Sequence, residues 1–390
     1  MEDNEIRQKF EEIYKSKIEP NLKRLEIQRI EEKKKYDLYV KVFTITCISE
    51  VLLGALCFLI KSPFIIFLII VGFIVAIPSS ILSTKIANNY RKMIKPILLK
   101  PVLSIFGNFR LENKEILSLK EIKSLGLYRS ASSKRDDDII VGTYKDIPIT
   151  LIETELVHTE SQGKSSTTVL DFNGLILKIK TNKSFEGITV GDQKENIDNY
   201  IKLLKEAVQK NPDIYPPERL KFLDSPIFKT ISQTQKFMNN NRLFIKNGKL
   251  CVDIFDNHTK NKITKKLEQV ILEDVEFNNN YNIYSDNQVE SRFLLTPTFM
   301  ERLKNIQATF LGLSVNFVFN NGYLYLFLNG SSACTNLTLE DDNTDKNGLF
   351  EVGSIDKTLL YKKIYLKLFR ELVSIFSLIN YFKLNEKTGL

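Results

Sequence analysis

The chain has 390 residues and a formal net charge of +8. The first 100 residues hold 17 Lys+Arg and 11 Asp+Glu, which leaves 38 and 36 of the totals of 55 and 47 for the rest. Because the remaining chain is nearly neutral and has no long basic stripe, the composition argues against a nucleic-acid partner. Four cysteines without a C-x-x-C pair predict neither a disulfide framework nor a zinc site, and we expect no cofactor.

Residues 1–38 form a charged amphipathic arm. Ile6, Phe10 and Ile13 recur at helical spacing among many charged residues, and Pro20 interrupts the pattern before it resumes. The spacing is coiled-coil-like but lacks sustained heptads. We expect the arm to pack onto the chain's own domain or the membrane surface, with self-association as the alternative.

Residues 39–84 contain two apolar runs, 42–60 and 63–82, separated only by Lys61-Ser62. Each run has the length that an α-helix needs to cross a bilayer core of about 30 Å. The pair therefore predicts a two-helix transmembrane hairpin. The charged residues that precede the first run, and the lack of a small-residue cleavage site after it, argue against a cleaved signal peptide.

Positive residues flank the outer ends of this hairpin. They are Lys33, Lys34, Lys35 and Lys41 before the first run, and Lys85, Arg91, Lys92, Lys95 and Lys100 after the second. The positive-inside rule then predicts that both termini and the large domain are cytoplasmic.

Glu50 lies near the middle of the first apolar run, where an ionised carboxylate is costly. Counting from the hairpin turn places it at the depth of Gly72, which leaves room for a side chain. One interpretation is a protonated carboxyl bonded to a backbone carbonyl, to Ser49 or to Thr46. The alternative is a proton-linked or oligomer-forming contact.

Beyond the hairpin, residues 85–126 form a juxtamembrane helical segment that we expect Pro96 and Pro101 to break. It ends in a short amphipathic helix over 114–125. Residues 127–193 then form a β-rich block.

The β-rich block predicts strands of an antiparallel meander at 138–143, 147–157, 169–181 and 187–190. The polar stretch 158–168 between two of them predicts a mobile hairpin loop that contains His158.

Residues 194–262 combine a helix at 194–209, a proline-rich crossing at 211–226 and a hairpin turn at Asn247-Gly248. The second α+β block, 263–390, follows this region.

The second α+β block predicts a helix that Thr296-Pro297 begins and that runs to about residue 308, and a hairpin around Asn320-Asn321-Gly322. A long helix over 354–381 closes it, with a wide apolar face that must be buried on the sheet or on another protein. We expect it to pack on the sheet.

Two stretches resemble a known family. The first contains DDIIVG at 137–142, FNGL at 172–175 and FEGITV at 185–190; the second contains VILEDVEF at 270–277 and YNIYSDNQVESR at 281–292. With the upstream hairpin, they resemble the bacterial family called domain of unknown function 3137 (DUF3137), over roughly 100–190 and 265–385. The resemblance implies a bacterial inner-membrane protein, and it implies no activity and no catalytic residues. Region 194–262 is longer than the family pattern, which implies an insertion there.

Few residues suggest catalysis or metal binding. The chain has only His158 and His258, and it lacks the common nucleophile, phosphate-loop and metalloprotease motifs. The acidic run 136–138 could offer oxygens to a hard cation, but strand alternation turns neighbouring carboxylates to opposite faces, so a solvated start of a strand is favoured. The same holds for the acidic loop at 340–345.

The second block is where we expect a functional surface, if the domain has one. Its candidate residues are Glu273, Asp274, Glu276, Tyr284, Asp286 and Arg292. Glu290 and Arg292 lie within reach of an ion pair. The 286–288 segment reads first as a turn or helix cap, and a ligand pocket is the alternative.

The chain is therefore expected to be an α+β protein: a two-helix transmembrane hairpin and a cytoplasmic domain with an antiparallel sheet and flanking helices. We expect a membrane-tethered binding or scaffold module of the bacterial inner membrane, whose partners are the lipid bilayer and other membrane or cytoplasmic proteins. The alternatives are an enzyme acting on a membrane-adjacent substrate and an oligomeric transporter or pore subunit. The sequence does not determine the oligomeric state.

Overall fold

The structure, a computed structural model, describes residues 2–60, 63–162, 165–194, 244–246, 249–255, 262–309, 314–329, 350 and 352–381. Predictions for the proline-rich crossing, His258 and the 340–345 loop lie outside this part of the chain. The chain divides into two compact units: Met1–Ile105 with Phe350–Phe369, and Phe106–Leu349 with Arg370–Leu390.

The first unit is helical. It contains α1 (Glu2–Ile13), a π-helical turn (Tyr14–Ile18), α2 (Glu19–Ile60) and α3 (Pro63–Leu103). The chain stays helical through the predicted interruption at Pro20, because the π-helical turn runs directly into α2. The predicted break at Pro96 and Pro101 is wrong, because α3 continues through both. Burial of Ile94, Leu98 and Leu99 stabilises the helix at these prolines.

The helices α2 and α3 pack against each other along the predicted hairpin. Both are long and apolar enough to cross a membrane. Their apolar side chains point outward: Val51 is 73% exposed, Phe64 66% and Ile74 65%. A core helix of a soluble protein would instead bury such residues.

The N-terminal arm packs within its own unit, as expected. Phe10 and Tyr14 are buried; Phe10 stacks on Phe369 with 4.4 Å between ring centroids, and Tyr14 lies 5.7 Å from Tyr365. These partners belong to α8 (Lys362–Tyr381). The part of α8 in the first unit therefore packs on the arm rather than on the sheet.

The helix α8 begins at Lys362, so the predicted start at residue 354 is wrong. The Glu26 carboxylate accepts a hydrogen bond from Leu359 N at 2.8 Å, and the Arg29 guanidinium donates to Ile355 O at 2.8 Å. Arg29 also donates to Glu26, at 2.8 and 3.0 Å. These contacts take up backbone groups that a helix would need for itself.

The second unit contains a nine-stranded antiparallel sheet in the order β1-β2-β3-β4-β12-β11-β5-β10-β9. The strands are β1 (Asn108–Glu112), β2 (Ser133–Tyr144), β3 (Ile147–Gln162), β4 (Ser165–Lys180), β5 (Ile188–Gln193), β9 (Glu268–Val270), β10 (Tyr281–Ser285), β11 (Ser314–Asn320) and β12 (Tyr323–Asn329). The observed α+β class agrees with the prediction.

Two predictions about this sheet are wrong. The meander ends at β4, because the β11–β12 hairpin lies between β4 and β5. The expected 158–168 loop is instead strand on both sides of residues 163–164, with His158 paired to Val169. Threonines on both strands suit such a ladder, although their polarity resembles that of a loop.

Both predicted hairpin turns are flanked by paired strands. In β11–β12, Asn321 and Gly322 have φ of +50° and +74°, the left-handed conformation that a tight hairpin turn requires. Around Asn247-Gly248, β6 (Phe244–Lys246) pairs with β7 (Lys249–Phe255), which pairs with β8 (Lys262–Lys266).

The described residues of the second unit also contain four short helices: α4 (Leu119–Ser124), α5 (Val275–Asn280), α6 (Gln288–Leu294) and α7 (Pro297–Thr309). The hydroxyl of Thr296 accepts from Phe299 N at 3.2 Å, which confirms the predicted cap of α7.

The sheet is covered on both faces. Ile122 of α4 and Tyr128 join Phe172 and Phe327 in one core cluster. On the other face, Phe299 of α7 packs 5.5 Å from Phe317 and 5.3 Å from Phe319. Within this unit, Phe376 of α8 lies 4.9 Å from Phe109 of β1, so this part of α8 packs on the sheet as expected.

Candidate functional site

The two sequence stretches that resemble the family meet where β5 pairs with β10. Thr189 and Ser285 face each other there, both fully buried, with 3.1 Å between their hydroxyl oxygens. Ser285 also donates to Ile188 O at 3.0 Å. Residues about 100 positions apart therefore build one buried polar contact.

Two carboxylates hold the backbone that leads into β5. Asp286 accepts from Ile188 N at 2.8 Å, and Glu290 accepts from Gly187 N at 2.8 Å and from Glu186 N at 3.1 Å. We call Asp286 and Glu290, with the N–H groups of residues 186–188, the carboxylate clamp. A Cβ at Gly187 would overlap the Glu290 carboxylate, so a larger residue there would displace that carboxylate from its present position.

The clamp gives Asp286 a structural role. It also differs from the expected pairing of Glu290 with Arg292. Glu290 binds backbone rather than Arg292, so the predicted ion pair is wrong. The Arg292 guanidinium donates to Gln288 O and Oε1 at 3.1 and 2.9 Å and to Ile271 O at 3.3 Å. These bonds join α6 to the segment that precedes α5.

The other predicted residues of this block are spread over its surface. Asp274 caps α5 by accepting from Phe277 N at 2.8 Å, while Glu273 and Glu276 are exposed. Tyr284 is half-buried on β10, and burial followed by the nearby Asp192 raises the pKa of its phenol. Asp286 lies just before α6 and Arg292 lies on it, but the structure does not gather all six residues into a pocket.

Four large apolar side chains are exposed beside these residues. Val289 is 81% exposed, Val275 71%, Ile271 69% and Phe293 58%. Val289 and Phe293 share one face of α6, and Arg292 connects α6 to Ile271. We call these four residues the apolar surface.

The acidic run on β2 is rearranged by a bulge. The register with β3 slips between Asp136 and Ile139, so strand alternation fails there. Oxygens of Asp137, Asp138 and Glu153 lie within 4.8 Å of one another. Asp138 and Glu153 are only 7% exposed, so the expectation of solvated carboxylates is wrong for Asp138. Carboxylate clusters are common without an ion, and we assign no metal to this one.

His158 joins a second polar cluster, which the sequence did not indicate. Its Nδ1 lies 2.9 Å from Asp171 Oδ1, and its Nε2 lies 3.2 Å from Glu160 Oε1. Ser130 donates to the same Asp171 oxygen at 2.8 Å. Burial lowers the pKa of His158, but hydrogen bonds with Asp171 and Glu160 outweigh this and raise it overall.

Sequence reasoning missed this cluster because one of its members is placed by an irregularity in strand pairing. Asp171 lies at a register shift of the β3–β4 ladder, which the sequence pattern does not reveal. The spacing of His158 and Glu160, two residues apart on a strand, places both on one face and was the available signal.

Glu50 lies in the contact between α2 and α3. Its Oε1 occupies the space that a Cβ of residue 72 would take, which confirms the predicted match with Gly72. Both carboxyl oxygens are buried and have no hydrogen-bond partner. The hydroxyls of Thr46 and Ser49 donate to Val42 O and Thr46 O, each at 2.7 Å, so the expected bond between them and Glu50 is wrong.

Comparison with known proteins identifies a family for this chain, and the description of that family names no activity. A family model described as a protein of unknown function (DUF3137) matches residues 170–384. That range contains β5, β10 and the whole carboxylate clamp. No match was found among curated proteins or among solved structures.

Proposed function

The chain belongs to the DUF3137 family, and from this premise we propose that it is a membrane-tethered binding module. The helices α2 and α3 hold it in a bilayer, and the apolar surface contacts a protein partner. The outward apolar side chains of the two helices carry the first part of the proposal. In water these side chains would be costly to expose, at about 25 cal/mol per Å².

The proposed membrane is the bacterial inner membrane, with both termini and the large domain in the cytoplasm. Lysine and arginine flank the outer ends of the two helices, while Lys61 is the one charged residue between them. The positive-inside rule supports this orientation. A phosphatase and a fluorescent reporter fused in turn after Leu390 test it: fluorescence without phosphatase activity is expected, and phosphatase activity would reverse the orientation.

The proposed binding surface has the features of a protein contact. Val289 and Phe293 are exposed although each is large and apolar, and the Lys183 ammonium lies 4.2 Å from the Phe293 ring centroid. A cluster of exposed apolar residues beside polar ones marks an interaction surface more often than a single exposed apolar residue does.

Binding is favoured over hydrolytic catalysis by the arrangement around His158. A serine nucleophile would need its hydroxyl hydrogen-bonded to an imidazole nitrogen that accepts its proton. Here the Ser130 hydroxyl donates to Asp171, and both imidazole nitrogens face carboxylates.

Site-specific photocrosslinking in native membranes tests the binding surface. A photoreactive phenylalanine analogue at Phe293 should give a discrete crosslinked product of higher mass, and Val289→Asp in the same chain should abolish it. The matched control places the analogue at Asn113, an exposed residue in the second unit. Equal crosslinking from both positions, or none from Phe293, would contradict the proposed surface.

A further inference from the structure

The His158 cluster lies on the β3–β4 ladder of the second unit, apart from the family motifs at β5 and β10. His158 is 17% exposed, and the Asp171 side chain behind it is 4% exposed. Glu160, on the other side of the imidazole, is 52% exposed. The ring is therefore held from the protein interior by one carboxylate and faces a second carboxylate at the surface.

This arrangement places two acceptors against each other when the imidazole is neutral. If Nδ1 carries the proton and donates to Asp171, then Nε2 presents a lone pair to the Glu160 oxygen at 3.2 Å. Two lone pairs at that distance repel each other unless a positive charge lies between the two atoms. A proton on Nε2 is one such charge, and a metal ion bound by both atoms is the other.

We propose that His158 Nε2 and the Glu160 carboxylate form a two-ligand site for a divalent transition-metal ion of the zinc class. Their separation of 3.2 Å fits this use. Two ligand atoms about 2.0–2.2 Å from a zinc ion, at an angle of about 100°, lie roughly 3.2 Å apart. The remaining coordination positions open toward solvent, because Glu160 is exposed.

Asp171 is a positioning residue of this site. A metal-bound histidine usually donates its other ring N–H to a carboxylate, which sets the tautomer and the ring orientation. Asp171 Oδ1 lies 2.9 Å from Nδ1, where it would accept the N–H of that tautomer, and the Ser130 hydroxyl donates to the same oxygen. Its other oxygen, Oδ2, is buried without a hydrogen-bond partner, so the side chain is held by these two contacts.

The chemistry of the ligands selects the class of metal. Imidazole with one carboxylate suits zinc and the neighbouring transition metals, whereas Mg²⁺ and Ca²⁺ prefer shells of oxygen ligands. Excess Mg²⁺ should therefore not displace the ion from the His158 site.

The test is a calorimetric titration of the full-length chain, in detergent and without a polyhistidine tag, with Zn²⁺. Co²⁺ serves as a spectroscopic substitute. We expect one saturable Zn²⁺ site, unaffected by excess Mg²⁺. His158→Gln and Glu160→Gln should each weaken binding at least about tenfold, and Asp171→Asn about 10- to 100-fold with a changed Co²⁺ spectrum.

Two control variants make the result decisive. His258→Gln replaces the chain's other histidine, and Glu273→Gln replaces an exposed glutamate outside the cluster; both should bind Zn²⁺ like the wild type. Equal affinity in the wild type and Glu160→Gln would overturn the proposal, since loss of this exposed carboxylate leaves the core packing unchanged. So would loss of binding in His258→Gln, displacement by Mg²⁺, or no saturable binding by the wild type.

Discussion

Carboxylates in the two parts of this chain are held in opposite ways. Beside the sheet, Asp286 and Glu290 accept hydrogen bonds from three consecutive backbone N–H groups. In the apolar helices, Glu50 is buried against Gly72 and neither oxygen has a hydrogen-bond partner.

The difference separates acidic residues whose positions the fold explains from one whose position it does not explain. A carboxylate that accepts several backbone N–H bonds stabilises the segment it holds, so the clamp has a structural role. A buried carboxyl without a partner contributes no such bond and costs free energy to bury. Among the described residues, Glu50 is therefore an acidic residue whose burial the packing of its own chain does not explain.

Among these variants, Glu50→Lys should have the largest effect, which is on the amount of protein inserted into the membrane. A cation near the bilayer centre costs about 2.5–3.5 kcal/mol on insertion scales, so the amount of inserted protein should fall. Glu50→Gln, which keeps a side chain of the same size, should retain the wild-type level. Quantitative immunodetection in washed membranes measures both. A wild-type amount of the lysine variant would mean that residue 50 lies outside the bilayer core.

The Gln variant also separates the two interpretations of Glu50. A structural role predicts that it complements a deletion strain as well as the wild type does. Failure to complement at normal membrane level would instead indicate proton-linked work.

Gly72→Val should destabilise the contact between α2 and α3, because its side chain would overlap the Glu50 carboxyl. Overpacking of this kind costs about 1–3 kcal/mol. Adding Glu50→Ala removes the overlapping group and should restore most of the loss. Thermal unfolding of the detergent-solubilised chain measures the coupling, and additive effects of the two changes would contradict the observed contact.

Glu290→Ala tests the opposite case, a carboxylate with partners. It leaves the N–H groups of Glu186 and Gly187 without their acceptor, which should cost about 1–3 kcal/mol. Glu273→Ala is the matched control at an exposed glutamate and should stay within about 0.5 kcal/mol. Urea unfolding measures the free energy of unfolding of both variants. Equal values would contradict the structural role of the clamp.

Glu26 provides the smallest and most specific effect. Burial raises the pKa of its carboxyl, but hydrogen bonds from Arg29 and Leu359 N outweigh this and lower it overall. Because the folded pKa is below the unfolded one, the stabilisation is present above the unfolded pKa and is lost as pH falls through the folded pKa. Glu26→Gln should therefore destabilise at neutral pH and lose this acid dependence.

Unfolding temperatures recorded across that acidic range test the Glu26 prediction. The difference between the wild type and Glu26→Gln should shrink as pH falls. A constant difference would mean that the charge of Glu26 is not what holds Leu359.

Local chemistry made several features predictable from the sequence. The Asn-Gly turn, the Thr296 cap and the length of the apolar runs each depend on a few neighbouring residues. Even the match of Glu50 with Gly72 required only counting along two helices joined by a short turn.

The wrong predictions depended on residues far apart in the chain. The start of α8 depends on Glu26, which contacts Leu359 across 333 positions. The place of β5 depends on a hairpin more than 100 residues later, and the clustering of Asp137, Asp138 and Glu153 depends on a bulge. Periodicity predicts which face of an element is buried, but it does not identify the distant segment that covers it.

Alkaline extraction of native membranes tests the central claim most directly, namely that α2 and α3 tether this chain in a bilayer. Sodium carbonate removes proteins bound only at the surface and leaves those that cross the bilayer. We predict that the full-length chain stays in the membrane pellet together with a known integral protein. Release of the chain into the supernatant would contradict the tether and the function proposed from it.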